Sequence, residues 1–535
     1  MTNLAPPPPH DTPLPPALRG LLRPEAYPHT VESVRVLQTH MSWVILTGPF
    51  AYKIKRPVCF PFADFRDPEH RAHLCAEEIR LNRPFAPQLY LGVSPVRLHD
   101  GEATFSAEGP VIESAVRMRQ FDRADELDAL VAAAAVTGDE FSAFGTTLAA
   151  THQTLPRRDA QARWGDAPEV THAIRRNYAE CLAMAAPAAS SVLLRSLRGP
   201  LGRLLHRCEP TLAARATEGR VRECHGDLHL SNLVRLEGRV TPFDALEFEP
   251  AFRWIDVADE VAFLCADLQG YRRPDLAAAF LAGYLDGSGD FGLLRVLDLY
   301  VAHRALVRAK IMAIRAVAAT AAAQRTHWLE RHADYLEVAR QALEPRRPRL
   351  LLMHGLSGSG KTWLARQLSR QLPAVHLRSD LERKRLAGLA PLASAAAPPG
   401  AGLYAAEVDE RTYARLAAGL RDALAGGHDA ICDATFLARA RRTAFRDIAD
   451  EFGAPTLLLD CTAPDAELRR RLRDRKASGR DPSDADETVL DWQRSRDEPL
   501  RLEERIMAIE VDTRAADPLA DALKGLGAAR LRSGS

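Results

Sequence analysis

Short apolar runs alternating with polar positions occupy residues 31 to 58: "VESVRVLQ", "WVILTG" and "FAYKIKRPV", each closed by turn residues. Period-two runs bounded in this way predict strands of a small antiparallel sheet. A helix is expected over about 68–83, and a further strand, "SAVRMRQF", near 114–121. From about 123 to 222 the chain is rich in Ala and Leu at helical spacing. Two short strands, "NLVRL" and "RVTPF", flank a Glu-Gly turn at 237 and 238, and long helices are expected from 255 to 343.

The pattern then changes. "EPRRPR", residues 344–349, interrupts both neighbouring periodicities and marks a domain boundary. Beyond it, "LLLMHG", "AVHLRSD", "DAICDATF", "PTLLLDC" and "IMAIEVD" alternate with helical segments. Short apolar strands separated by helices predict a parallel five-stranded sheet covered on both faces. The expected organisation is a Pro-rich, poorly ordered tail over 1–25, an α+β domain over 26–345 and an α/β domain over 346–535. The Ala/Pro stretch 388–402 reads as a mobile insertion in the last.

Composition narrows the partners. The 535 residues carry 46% apolar and 26% charged residues and a formal net charge of +1. Near-neutrality argues against a dedicated nucleic-acid binder, and no run approaches the length of a membrane span. The N-terminus lacks a secretory pattern, and the eight cysteines form no CxxC pair or metal-ligand cluster, so a reducing cytoplasm is expected.

The chemistry is clearest in "MHGLSGSGKTWLARQL". Gly355, Gly360, Lys361 and Thr362 fit the phosphate-loop pattern. Glycines let consecutive amides, including those of Ser357, Gly358 and Ser359, curl round phosphate oxygens. Lys361 would reach the β- and γ-phosphates and Thr362 would hold Mg²⁺. Leu364, Leu368 and Leu372 recur every four residues after the loop, as one buried helix face. Asp380 and Asp433 follow the second and third strands, where ligands of such sheets bind. Asp380 could instead be a helix N-cap. Arginines in "ELRRRLRDRKASGRDPSDAD" suit a lid over a transferring phosphoryl group.

These residues resemble the small P-loop kinases of the gluconate kinase, zeta-toxin and polynucleotide kinase group, over about 349–515. The resemblance implies a P-loop NTPase fold using ATP and Mg²⁺. It makes Asp380 the base, Arg383 a substrate ligand, Asp433 a support for Mg²⁺, and Arg475 and Arg480 lid arginines.

"CHGDLHLSNLV", 224–234, makes a second claim. His225-Gly226-Asp227 followed by Asn232 keeps the spacing of the kinase loop H-R-D-x-x-x-x-N, in which Asp accepts a proton and Asn binds metal. Asp244 in "PFDALEF" stands where the metal-binding Asp of D-F-G would, after a hairpin that sets it near Asn232. Lys53 in "FAYKIK" aligns with the nucleotide lysine of V-A-I-K, with Lys55 on the same face as the alternative. Glu78 shares a helical stripe with Leu74 and Leu81, which makes it rather than Glu77 the inward partner.

This set is similar to the aminoglycoside phosphotransferase family of protein kinase-like enzymes, over about 30–340. The whole chain resembles bacterial bifunctional aminoglycoside phosphotransferase/ATP-binding proteins. The likeness implies an ATP-dependent kinase with "VRMRQF" as the adenine hinge. The glycine-rich loop is reduced to Gly48, which leaves open a nucleotide-binding regulator in place of an enzyme; a polynucleotide end kinase is the alternative for the C-terminal half. Arg304 and Arg308 share a helix face and, were that face to line the acceptor pocket, would favour an anionic or neutral hydroxyl acceptor over a polycation.

Overall fold

The computed structural model describes residues 14–60, 63–159, 162–184, 188–391, 393, 402–478, 483 and 485–533. Residues 1–13, Arg480 and most of the 388–402 insertion lie outside them. The chain forms two compact units, Met1–Ala277 with Leu299–Leu343, and Ala278–Asp298 with Glu344–Ser535.

In the first unit, six antiparallel strands run in the order Arg35–Gln38, Ser42–Leu46, Phe50–Lys55, Val111–Arg119, Tyr90–His99 and Glu102–Thr104. Strand alternation sends Ala51 to one face, where it packs with Cys75 and Ile79 of helix Pro68–Asn82. Tyr52 and Ile54 go to the other, among Leu14, Leu18, Leu21 and Tyr27. The expected tail therefore ends earlier than residue 25. Pro16–Leu22 and Pro24–Ala26 are short 3₁₀ helices, and Leu18 and Leu21 of the first, with Ala26 of the second, close the outer face of the sheet.

Strand Tyr90–His99 escapes the sequence pattern because its register slips twice, at Tyr90/Gly92 and Val96/Arg97. Each slip moves side chains across the sheet and breaks the alternation. The rest of the unit is mostly helical and includes the hairpin Leu233–Leu236 with Arg239–Pro242, turned by Glu237 and Gly238 at φ 51° and 75°. Pro242 is tolerated because this ribbon has only two strands, both edges.

The second unit is built on a parallel sheet in the order Val375–Arg378, Ala430–Asp433, Leu350–His354, Thr456–Thr462, Ala508–Asp512. Leu350–His354 is buried along its whole length, as a strand covered on both faces must be. Leu364 and Leu368 of helix Lys361–Gln371 are fully buried against Leu351, Met353 and Leu459. Register fixes the functional edge: Asp433 stands opposite both Met353 and Arg378, so three strands end at one level. The phosphate-loop sequence, Asp380 and Asp433 all leave that carboxyl edge, beside the strand at which the order reverses.

Residues 278–298, the end of one helix and the start of the next, belong to this second unit rather than to the helical run before them. Arg295 pairs with Asp422 at 2.7 Å and Asp286 with Arg378 at 3.3 Å. The sequence marks only a helix break there, at Gly287-Ser288-Gly289-Asp290, and a break between helices does not show that the chain has changed units.

Candidate active sites

Lys53 and Lys55 leave the sheet of the first unit on the face occupied by helix Pro68–Asn82. That helix is started by Asp67, whose side chain accepts from the Glu69 N–H, and by Pro68 in its first turn. Glu78 is fully buried and takes one lysine on each oxygen, Lys53 on Oε1 and Lys55 on Oε2, both at 2.8 Å. Lys53 pairs further with Asp244, and Lys55 with Glu247. The two lysines are thus parts of one cluster, with Lys53 on the side of Asp244. Glu77 turns away to Arg80.

Burial opposes the charge on Lys53, but Asp244 and then Glu78 outweigh it and hold the ammonium well above its ordinary range. Burial also opposes the Glu78 carboxylate, and the two lysines reverse that, keeping it below the usual carboxylate range. Glu247 goes the other way: burial raises its carboxyl, and Lys55 only partly offsets it.

The loop 225–232 is folded round a glycine. Gly226 has φ 85°, and a Cβ there would lie 2.7 Å from the Phe252 carbonyl oxygen. No side chain fits, which explains glycine where protein kinases carry arginine. The His225 ring sits 2.9 Å from the Phe243 oxygen, and its own carbonyl accepts from Leu246 N–H at 3.0 Å. Those bonds tie the loop to the segment carrying Asp244. Phe243 N–H also donates to the Asn232 carbonyl at 3.0 Å, so the hairpin brings Asn232 beside the residue preceding Asp244.

Asn232 donates its side-chain amide to the backbone oxygen and to Oδ2 of Asp227, each at 3.0 Å. Its carbonyl oxygen is the atom suited to a cation. Asp244 has φ 65°, a costly conformation for a residue other than glycine, and its N–H donates to the Tyr90 hydroxyl at 2.8 Å. Burial raises the Asp227 carboxyl, but His229, 3.3 Å away, outweighs it, so Asp227 is held as a carboxylate well below its ordinary range. A carboxylate beside two oxygen donors, opposite a fixed lysine, fits a nucleotide with Mg²⁺. Gly48, at φ 94°, forms the turn before strand Phe50–Lys55, and its N–H donates to Gln120 at 3.1 Å.

Two carboxylates of this unit carry no sequence motif. Glu260 accepts from Gly226 N–H and from the His152 ring, both at 2.7 Å, and Asp267 accepts from Leu230 N–H at 2.9 Å. Both project from helix Val257–Gly270, which is buried on nearly every face. Acidic residues within that apolar run are the one signal that could have found them.

Arg304 and Arg308 do not line an acceptor pocket as free cations, nor are they solvated. Arg304 makes two 2.7 Å bonds to Asp259, and Arg308 lies 3.0 Å from Asp267. Their charges are neutralised inside the fold, and the argument from them toward an anionic acceptor lapses.

In the second unit the phosphate loop borders a cavity of about 340 Å³ lined by Ser357, Gly358, Gly360, Lys361 and Thr362. Gly355 packs so closely that a Cβ would come within 2.4 Å of the Cys461 oxygen. Lys361 Nζ donates to the Leu356 carbonyl at 2.8 Å; burial pulls its ammonium down, with Asp433 opposing. Among the described residues, the buried Ser359 hydroxyl has no hydrogen-bond partner. A buried lysine and an unsatisfied hydroxyl in a curled loop fit an incoming phosphate chain.

Asp380 is the second residue of helix Ser379–Leu386, so it is not the N-cap, and it lines the cavity. Asp433 is buried and bonded to the His376 ring at 3.1 Å; burial raises its carboxyl, and His376 outweighs that. Arg383 and Arg475 also line the cavity, Arg475 donating to the Ala485 carbonyl at 2.6 Å. Gln493 had no sequence signal: its side-chain oxygen accepts from Ser357 N–H at 2.9 Å and braces the loop. Among the described residues, no helix is long and apolar enough to cross a membrane.

Residues 350–500 match the AAA domain family. Over 442 residues the chain is 30% identical to the uncharacterized protein Rv2004c of Mycobacterium tuberculosis, covering 82% of this chain and 86% of that one. Among solved structures, a gluconokinase from Sinorhizobium meliloti is 19% identical, with a TM-score of 0.26 over 35% of this chain and 96% of its own. An aminoglycoside phosphotransferase from Alicyclobacillus acidocaldarius is 16% identical, with a TM-score of 0.36 over 62% and 94%.

Two outcomes follow from the first site. Lys55→Met strands buried Glu247 and costs about 3–5 kcal/mol in urea unfolding of the first unit. Adding Glu247→Leu recovers part of that, a coupling of roughly 0.5–3 kcal/mol; strict additivity would contradict the pairing. Gly226→Ala forces its methyl group against Phe252 and costs about 1–3 kcal/mol by the same measurement. A neutral result would mean the loop has room there.

Proposed function

The chain belongs to the family of the mycobacterial protein Rv2004c, and we propose that it is an ATP-dependent phosphotransferase with two separate sites, each transferring the γ-phosphate to a hydroxyl of a small molecule. The observation that carries this reading is the assembly in the first unit of Lys53, Glu78, Asp227 with Asn232, and Asp244 from four stretches of the chain, alongside an independent phosphate loop in the second.

In the first site Lys53, oriented by Glu78, would hold the α- and β-phosphates. Asp227 accepts the proton of the acceptor hydroxyl as the new O–P bond forms and the bond to ADP breaks. In the second, Lys361 and the loop amides would hold the phosphates, Asp380 would take the acceptor's proton and Arg475, with Arg480, would close over the transferring group. Arg383 would orient the acceptor. Asn232 with Asp244, and Thr362 with Asp433, are the residues that would hold Mg²⁺, which supplies charge neutralisation. Each site works by placing in-line reactants and matching charge, the dominant demand of phosphoryl transfer. A domain boundary near residue 345, with 278–298 counted in the second unit, and a cytoplasmic setting are part of this proposal.

A screen of metabolite pools with γ-labelled ATP on the full chain tests it. Asp227→Ala and Lys361→Ala should each remove a different labelled product, by at least about a hundredfold. If Asp227→Ala leaves every product intact while the first unit still binds ATP, that unit is a nucleotide-binding regulator and the two-enzyme reading fails.

A further inference from the structure

Cysteine and histidine spacing along the sequence offers no metal cluster, but the fold assembles one in the first unit from three distant stretches. His152 comes from the last turn of helix Gly138–Thr154, Cys224 follows strand Val221–Glu223, and Glu260 stands in the first turn of helix Val257–Gly270. One ligating atom of each lies within 4.8 Å of the other two, and all three residues are buried. Among the described residues no other three His, Cys, Asp or Glu side chains converge in this way.

Charge separates this group from an ordinary core contact. Four carboxylates on or beside helix Val257–Gly270 are buried: Asp256, Asp259, Glu260 and Asp267. Arg215 takes Asp256 through two 2.8 Å bonds, Arg304 takes Asp259 through two of 2.7 Å, and Arg308 lies 3.0 Å from Asp267. Glu260 is the exception, with no guanidinium or ammonium bound to it among the described residues. Its Oε2 lies 2.7 Å from His152 Nε2, and its Oε1 accepts from Gly226 N–H at 2.7 Å. Cys224 directs its weak S–H donor at the Ile255 carbonyl, 3.7 Å away. A buried carboxylate matched by no arginine, with an imidazole and a thiol in reach, has the partners that a divalent cation requires.

The donor set selects the ion. Thiolate, imidazole and a single carboxylate suit Zn²⁺, whereas Mg²⁺ takes oxygen ligands and keeps its water. Tetrahedral Zn²⁺ holds such atoms about 3.3–3.6 Å apart, so the His152–Glu260 pair opens by roughly half an ångström and Cys224 closes by at most about 1 Å. The Ile255 carbonyl oxygen or a water is left for the fourth position. Glu260 Oε1 keeps its bond from Gly226 N–H, the outer contact that orients a ligating carboxylate.

We propose that His152, Cys224 and Glu260 form a Zn²⁺ site that ties two helices to the loop carrying Asp227. On binding, the Cys224 thiol proton leaves to solvent and the ion replaces the proton on His152 Nε2; the ring then carries its single proton on Nδ1. Zn²⁺ with one thiolate and one carboxylate is neutral, which completes for Glu260 the matching that arginines give the other three carboxylates. The site does not depend on the phosphotransferase reading, whose Mg²⁺ ligands are all oxygens.

The test uses the full chain carrying Cys59→Ala, which removes the exposed thiol, stripped of metal with a chelator and titrated with Co²⁺. One Co²⁺ per chain should give the visible bands of a tetrahedral site and a near-ultraviolet thiolate-to-Co²⁺ charge-transfer band. One equivalent of Zn²⁺ should erase both, and a large excess of Mg²⁺ should leave them. Adding Cys224→Ser should remove the charge-transfer band. His152→Gln should weaken Zn²⁺ binding by at least about tenfold, since loss of even an outer contact costs that much. Zn²⁺ should also raise the urea midpoint of the Cys59→Ala chain but not of the chain that adds Cys224→Ser, because an ion held by the folded site stabilises it. Absence of the charge-transfer band, its survival without Cys224, or a urea midpoint indifferent to Zn²⁺ would each overturn the proposal. Should circular dichroism show that Cys224→Ser does not fold, the Co²⁺ titration of the Cys59→Ala chain decides alone. No other cysteine among the described residues has both a histidine and a carboxylate in reach.

Discussion

A charge taken out of water must find its counter-charge, and the first unit is arranged around one such obligation. Glu78 has no exposed surface, and both of its oxygens are occupied by lysines from a single strand. That requirement fixes the side of the sheet on which helix Pro68–Asn82 lies and where the chain must later deliver Asp244 and Glu247. Two lysines face three carboxylates in this cluster. The imbalance suits a site completed by a metal and a nucleotide, since Asp244 is available to a cation without leaving Glu78 unpaired.

The second unit meets the same demand with backbone instead of side chains. Its phosphate loop is positioned by the burial of Leu350–His354 and by glycines that no larger residue could replace, as the approach of Gly355 to Cys461 shows. Lys361 rests on a carbonyl, and burial weakens its hold on its proton. The two sites therefore reach readiness by different routes. One pre-pairs its lysine with carboxylates, and the other keeps its lysine under-paired in a curl of amides.

How far these features were legible in the sequence depends on the distance between partners. Asp227, Asn232 and Asp244 lie within one loop and hairpin, and local spacing was enough to find them. Glu78 followed from helical periodicity. Glu247 did not, because its partner Lys55 is 192 residues away and no motif records the pairing. Glu260 and Asp267 were hidden for the same reason. Arg304 and Arg308 show the converse: their spacing on one face was read correctly, but spacing cannot reveal that Asp259 and Asp267 await them. At the N-terminus the prolines masked Leu14, Leu18 and Leu21, whose helix-like spacing closes the outer face of the sheet. Strand Tyr90–His99 was lost to its two register slips.

The central claim is that one chain holds two independent nucleotide sites of unrelated architecture. Equilibrium binding of Mg·AMPPNP to the full chain tests it most directly. The account predicts two bound per chain, falling to one in Lys53→Ala and to one in Lys361→Ala, with the remaining site unaltered in affinity. A single bound nucleotide per chain, lost in only one of those variants, would contradict it.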